Sequence, residues 1–486
     1  MDKQNRNIRS KYTVRTSDRR TFRRCMRKWD YMASMRKNLT PKGTEQNINF
    51  WFGSAIHFAM EDYHGYNKYG DPRRAFYAYY NAFDPDTLPP GAEAHYELGM
   101  AMLSYYLTWY PRYNAATEFE TVWLDPDGND VLPFTEGAKP CVEQGFMLPL
   151  NVRVIVDKET DVNYAKYIPG SENKAGAYAT GTLLMERQEQ MQYNEQDHTY
   201  DLVTTDIYTW VMADGTRRDV HLIPIYYHGT IDRIVKDKYG RYWLLDYKTA
   251  KSADTNKLDT DDQINAYIWA ATILFQRPIY GFVYMQLTKA QVQEPRRLKN
   301  GTLSVDKKQK TTYSLLRKEI LHDYGRVEDA PNKLIQFLND LASRETPEGD
   351  DFIRWDFVKR NEQQIINTAK AIYAELDLML DPTLYCFPNP TRDCIWDCPV
   401  REACIAQDRG DEDTVIEFFR HWEERPRTEN GNIEDWREDL PSPEEVNKIP
   451  LEDILEAEKM MVIELESNKD ESGFTFMFGD DEDDRR

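Results

Sequence analysis

His228–Gly–Thr–Ile–Asp–Arg–Ile–Val235 and Trp243–Leu–Leu–Asp–Tyr–Lys–Thr249 are two β-rich runs joined by the polar segment Lys236–Asp–Lys–Tyr–Gly–Arg241, and their reading decides the fold. Asp246 and Lys248 are two apart, so a strand puts both on one face. With Lys238–Tyr239–Gly240 as a three-residue loop and Gly240 in the left-handed region, Asp232 falls opposite Asp246. Facing carboxylates repel. A nearby lysine and a divalent cation between the two acids would explain the pairing. The plainer alternative is a surface hairpin with its charges in water.

Working outward, Leu258–Asp–Thr–Asp–Asp–Gln–Ile–Asn–Ala–Tyr–Ile–Trp–Ala–Ala271 carries Ile264, Ile268 and Ala271 at helical spacing, with Asp259 or Thr260 available to cap it. Gln263 and Tyr267 then share one helix face. Upstream, Gly53–Ser–Ala–Ile–His–Phe–Ala–Met–Glu61 starts another helix, with His57 and Glu61 four apart.

The order His57, Gly229-x-x-Asp232, Asp246-x-Lys248, Gln263-x-x-x-Tyr267 resembles the RecB-like branch of the PD-(D/E)XK nucleases. Ser17–Asp–Arg–Arg–Thr–Phe–Arg–Arg–Cys25 is similar to that branch's N-terminal helix, and Cys394–Ile–Trp–Asp–Cys398–Pro–Val–Arg–Glu–Ala–Cys404 to its C-terminal cysteine hook. The resemblance spans residues 17 to 404. It departs at Met26, where many relatives carry proline, and in the long stretch between His57 and Asp232. It implies an α/β fold, a restriction-endonuclease-like core with a mixed central sheet flanked by helices. It also implies a metal-dependent nuclease. Asp232 and Asp246 would be metal ligands, with the Tyr247 carbonyl and His57 completing the set for Mg²⁺ or Mn²⁺. Lys248 would orient or deprotonate water and stabilise charge on phosphorus. Gln263 and Tyr267 would hold the DNA backbone or the lysine. Cys25, Cys394, Cys398 and Cys404 would bind a [4Fe–4S] cluster, with zinc as the alternative; Cys386 is a spare, and Cys141 reads as a buried apolar residue.

Net charge is −21, but residues 405–486 hold 27 Asp/Glu against 10 Lys/Arg, a net of −17, which leaves −4 for residues 1–404. Residues 1–42 hold 14 Lys/Arg against three acids, a net of +11, and a second basic stretch runs from Lys289 to Lys318. Local fields govern attraction to a phosphate backbone, so the basic N-terminus is expected to face DNA. No run of about 18 apolar residues suggests a membrane span, and a polar N-terminus without a signal core points to the cytoplasm. Cysteines there are not expected to form structural disulfides. There is no GxxxxGK[ST] motif and hence no P-loop motor. Asp125–Pro–Asp–Gly–Asn129–Asp130 reads as a turn, because a calcium loop would need glycine at Asp130.

The expected organisation is an N-terminal helical region (1–116), with one helix over 17–38 capped by Ser17 and others over 54–66, 72–83 and 91–110. A nuclease core (117–408) follows, with Glu143 as the counterpart of the family's strand glutamate and an inserted β-rich segment at about 151–226 that includes a loop at 170–176. Helices are expected near 311–323, 331–344 and 361–379, with a strand near 352–359. An acidic, partly disordered extension (409–486) could bind a protein partner. The chain reads as a DNA nuclease, an exonuclease working on single strands or ends in phage-type recombination or replication; Arg297 to Tyr313 adds to the phage-type likeness and so to a phage or prophage setting. The alternatives are a CRISPR-type DNA-trimming nuclease and a non-catalytic DNA-binding or assembly protein of the same fold.

Overall fold

The two runs pair as an antiparallel hairpin in the middle of a ten-stranded mixed sheet in the computed structural model. The structure describes residues 12–42, 47–66, 70–160, 163–167, 181–194, 199–252, 255–256, 258–396, 398–425, 440–452 and 454. The acidic tail beyond 454, the loop at 170–176 and the first eleven residues lie outside that set. The sheet strands are β1 (Tyr12–Val14), β2 (Glu120–Thr121), β3 (Val142–Asp157), β4 (Asn163–Tyr167), β5 (Gly181–Asn194), β6 (Thr199–Met212), β7 (Arg217–Lys236), β8 (Tyr242–Ala250), β9 (Ile279–Thr288) and β10 (Ile353–Val358). Helices α1 (Thr16–Arg24), α2 (Met26–Met32), α3 (Ile48–Glu61), α4 (Pro72–Asn81), α5 (Ala92–Thr117), α6 (Asp262–Leu274), α7 (Tyr313–Tyr324), α8 (Asn332–Arg344) and α9 (Glu362–Met379) surround it.

Hairpin register follows from the loop. Arg233 pairs with Leu245 and Lys236 with Tyr242, and Asp237 N–H bonds to the Arg241 carbonyl. Residues 238–240 therefore form the turn, with Gly240 at φ +75°, a conformation that glycine adopts without strain. Continued by one residue, the same register sets Asp232 against Asp246. Strand β8 then crosses through α6 to parallel β9, and β10 closes the series antiparallel.

Alternation along β8 divides the core. Leu244 packs with Ile264, Ala271, Ile372 and Leu376 beneath α6 and α9. Leu245 and Tyr247 pack with Trp51, Phe52, Tyr79 and Tyr106 beneath α3, α4 and α5. The result is a helix–sheet–helix sandwich with both sheet faces buried, as apolar β8 and β9 demand.

Several boundaries differ from the sequence reading. Residues 17–38 are two helices, not one, because Cys25 is extended (φ −159°) and caps α2 by accepting Lys28 N–H on its sulfur. Met26 is thus the first residue of a helix, the place where proline fits best, so the departure from the family pattern leaves the break intact. Asp18 accepts the Arg15 N–H, and Arg15, not Ser17, occupies the cap position of α1. The α6 cap is Asp261, which accepts from Gln263 and Ile264 N–H. The segment at 151–226 extends the sheet: β3 and β7 run on together as far as Asp157 and Val220, with β4 and the β5–β6 ribbon added beside them. Asp125 accepts from Asp127 and Asn129 N–H in a tight turn. No described helix is long and apolar enough to cross a membrane.

Gly229 faces α6 where a side chain has no room: a Cβ would lie 2.8 Å from the Phe146 ring and 3.0 Å from Tyr267 Oη. Gly229→Ala is expected to cost ~1–3 kcal/mol through this overpacking. Gly53→Ala, in α3 with nothing within 4 Å, should gain ~0.5–1 kcal/mol. Urea midpoints of the two variants check the pair, and a neutral Gly229→Ala would contradict the packing.

Candidate active site

At the centre of the sheet, side chains from α3, β3, β7 and β8 meet. His57, Glu143 and Asp232 place one donor atom each within 4.8 Å of one another. His57 Nδ1 lies 2.8 Å from Glu143 Oε1 and 3.5 Å from Asp232 Oδ2, while its Nε2 lies 3.1 Å from the Tyr247 carbonyl. All three partners are acceptors, so the ring fits them best as the doubly protonated imidazolium. Burial alone would push the His57 pKa down; Asp232 and Glu143 outweigh it and raise it to about 9. Asp232 is driven up to about 7 by burial, against the pull of His57 and with a push from Asp246. It also accepts the Tyr247 N–H at 2.7 Å.

Asp246 stands outside that ring and ion-pairs with Lys248 at 2.5 Å. Burial works against the Lys248 charge, but Asp246 and Asp232 overcome it and raise the pKa. The two carboxylates therefore favour the charged form of the amine in the metal-free arrangement. Lys248 Nζ also donates to the Tyr247 carbonyl at 3.3 Å.

Sequence reasoning named Glu143 as a strand counterpart but gave it no place in the site. Its backbone is left-handed (φ +43°). A non-glycine residue held there costs on the order of 1 kcal/mol or more, and the turn leaves its carboxylate on His57. The shell behind Tyr247 was also missed. That ring is 2% exposed and stacks on His64 at 6.2 Å. Arg233, equally buried, donates to Thr121 Oγ1 at 2.9 Å and Tyr110 Oη at 3.1 Å on the same side. These contacts fix the peptide whose carbonyl faces His57.

A cleft of about 660 Å³ opens beside Asp246 and Lys248, lined also by Arg20, Arg23, Arg24, Gln263 and Tyr284. Gln263 thus reaches the cleft. Tyr267 does not line it; it is 9% exposed, edge-on to Phe146. The basic N-terminal run divides. Arg19 is buried and ion-pairs with Asp262 and Glu375, and buried Arg27 with Asp408. Arg20 and Arg23 pair with Asp261 and Asp262 at the cleft rim. The second basic stretch is partly self-neutralised, with Arg297 held by Glu319 and Asp323 and Lys307 by Asp340.

The cysteine hook packs against α2. Tyr31, Val400 and Trp422 share a small core with Cys398, Arg24 Nε donates to Asp393 at 2.9 Å, and Tyr31 Oη to Gln407 at 2.6 Å. Burial pushes the thiols of Cys398 and Cys404 up, and both feel the charge of Cys25. Donors already point at the sulfurs: Thr391 N–H at Cys394 (3.4 Å) and Arg27 at Cys404 (3.7 Å). Cys141 is buried just ahead of β3.

Since both raised pKa values belong to the folded state, the metal-free protein holds protons more tightly than the unfolded chain. Stability from His57 is present below about 6.5 and lost as pH rises through about 9; Asp232 acts in the same direction between about 4 and about 7. A divalent cation displaces these protons. The gain in Tm on adding Mn²⁺ or Mg²⁺ is therefore expected to grow from pH 6 to pH 9, and a pH-independent gain in melting curves would refute the linkage.

A sequence model described as the PD-(D/E)XK nuclease superfamily matches residues 152–405. No curated protein matches the chain.

Proposed function

Because the chain belongs to the PD-(D/E)XK nuclease superfamily, we propose that it is a metal-dependent deoxyribonuclease of the RecB-like branch, working from DNA ends as an exonuclease in phage-type recombination or replication. The observation that carries the hydrolytic reading is the His57 ring seated among Glu143, Asp232 and the Tyr247 carbonyl. One imidazole, two carboxylates and a backbone carbonyl converge there, and a hard divalent ion suits that donor set.

His57, Glu143, Asp232 and the Tyr247 carbonyl would hold the ion, with Asp246 beside them. Bound there, Mg²⁺ or Mn²⁺ supplies charge neutralisation on the phosphate and an acidified water. The chain's own groups do the rest. Lys248, fixed by Asp246, meets the negative charge that builds on the phosphoryl oxygens. Gln263 donates its amide to the backbone in the cleft, and Arg20, Arg23 and Arg24 line the path of the neighbouring phosphates. Tyr267, edge-on to Phe146 and close against Gly229, would act by holding its neighbours in place at the side of the cleft.

End-labelled single- and double-stranded DNA with Mg²⁺ or Mn²⁺ tests this reading. Asp232→Asn, Asp246→Asn and Lys248→Met should each lower cleavage by about 10²–10⁴-fold, with unchanged melting in chelator for at least one of them. Cleavage equal to wild type in all three would refute it, and an inert but DNA-binding wild type would favour the assembly reading. Mononucleotide release from ends, against internal cuts in a circular substrate, decides the exonuclease part.

Cys25, Cys394, Cys398 and Cys404 would hold a [4Fe–4S] cluster. The N–H donors aimed at their sulfurs suit cluster thiolates. Anaerobically purified protein should contain about four irons per chain, and Cys25→Ser should lose them and lower the Tm. Stoichiometric zinc without iron would assign the site to zinc instead.

A further inference from the structure

The β5–β6 ribbon has no use in the reaction just described, and its construction is unusual. Its two strands pair from Gly181–Met212 out to Asn194–Thr199, fourteen residues or about 45 Å long. Among the described residues only its base is anchored, where Tyr208 to Val211 pair with β7. Beyond the Met185–Tyr208 pair, no third strand joins it among the described residues. A two-stranded ribbon with both faces wet is marginal in water. Among the described residues nothing pairs with the outer edge of β5, and Gly181–Asn194 contains neither proline nor lysine to guard it. Apolar side chains stand exposed along it: Met185 at 61%, Met191 at 56%, and Leu202, directly across from Met191, at 59%.

Charge excludes a phosphate backbone as the occupant. Residues 181–212 carry six Asp/Glu and a single base, Arg187, for a net of −5. A protein edge remains, and β5 is complementary to itself. Antiparallel pairing about Gln188 sets Arg187 opposite Glu189 of the second copy and Met185 opposite Met191, each contact occurring twice by symmetry. Since Arg187 already bonds Asp206 on β6 at 3.0 Å, the charged row becomes Asp206–Arg187–Glu189. The apolar row becomes Leu202–Met191–Met185–Tyr208. A shift of two residues either way puts Arg187 on Arg187 or Glu189 on Glu189, which like-charge repulsion penalises.

We propose that the β5 edge is a homodimerisation site, at which two copies of this chain join their ribbons into a four-stranded sheet in the register centred on Gln188. The assignment does not depend on the nuclease reading, because it uses no residue of the candidate active site.

Light scattering of the full chain over a concentration series tests it. Wild type should approach twice 57.3 kDa. Arg187→Glu and Glu189→Arg should each weaken self-association by about tenfold or more. Mixed together they should regain a dimer as tight as wild type. One copy then carries acids at both positions and the other bases at both, so each facing pair is again opposite in sign; this recovery also shows that both variants fold. A monomeric wild type, a dimer indifferent to both variants, or a mixture that fails to recover would each overturn the proposal. So would Glu189→Arg raising oligonucleotide affinity without a change of mass, which would assign the ribbon to DNA.

Discussion

Carboxylates gathered beneath a sheet cannot stay ionised without a positive charge among them. At an effective dielectric near 20, two unit charges about 4 Å apart repel by about 4 kcal/mol, and Asp232, Glu143 and Asp246 all converge on the β7–β8 hairpin. The structure answers with two basic groups, the His57 imidazole from α3 and the Lys248 amine from β8. Much of the surrounding architecture keeps these groups in place. The hairpin turn sets the carboxylate register, and the helical layer of α3 to α5 delivers His57. The left-handed backbone at Glu143 accepts local strain to bring in the third acid.

The same logic governs the arginine-rich N-terminus. A basic run invites a reading as phosphate-facing, yet Arg19 is fully buried between Asp262 and Glu375. Removing one partner from such a pair leaves an uncompensated charge in the core. Arg19 and Arg27 are therefore ties from α1 and α2 to α6, α9 and the cysteine hook. Arg20, Arg23 and Arg24, on the next turns, reach the cleft. One helix thus joins the cysteines, the cap of α6 and the cleft rim through Arg24–Asp393, Arg20–Asp261 and Arg23–Asp262.

Local signals were legible where chain neighbours decide the outcome. Gly240 fixed the turn, alternation placed Asp246 with Lys248, and the apolar spacing of Ile264, Ile268 and Ala271 marked α6. They failed where partners lie far apart. No glycine or proline announces the break at Cys25, which follows from the sulfur accepting Lys28 N–H and from α2 docking on the hook. Where the strands of 151–226 go was likewise not legible: they lengthen the central sheet, because β3 and β7 find each other across some seventy residues.

Sequence by itself determined the hairpin, its register, the side-by-side acid and lysine of β8 and the superfamily motif, all of which depend on residues a few positions apart. His57 was expected among the ligands from the sequence resemblance, but tertiary structure alone decided that Glu143 joins it and Asp232 in one ring, and both His57 and Glu143 lie outside the matched residues 152–405. It also decided which arginines are ties and which face the cleft, and that Asp246 and Lys248 meet as an ion pair. Those outcomes depend on burial and on charges from distant elements, and a carboxylate's field is set by what surrounds it in space rather than along the chain.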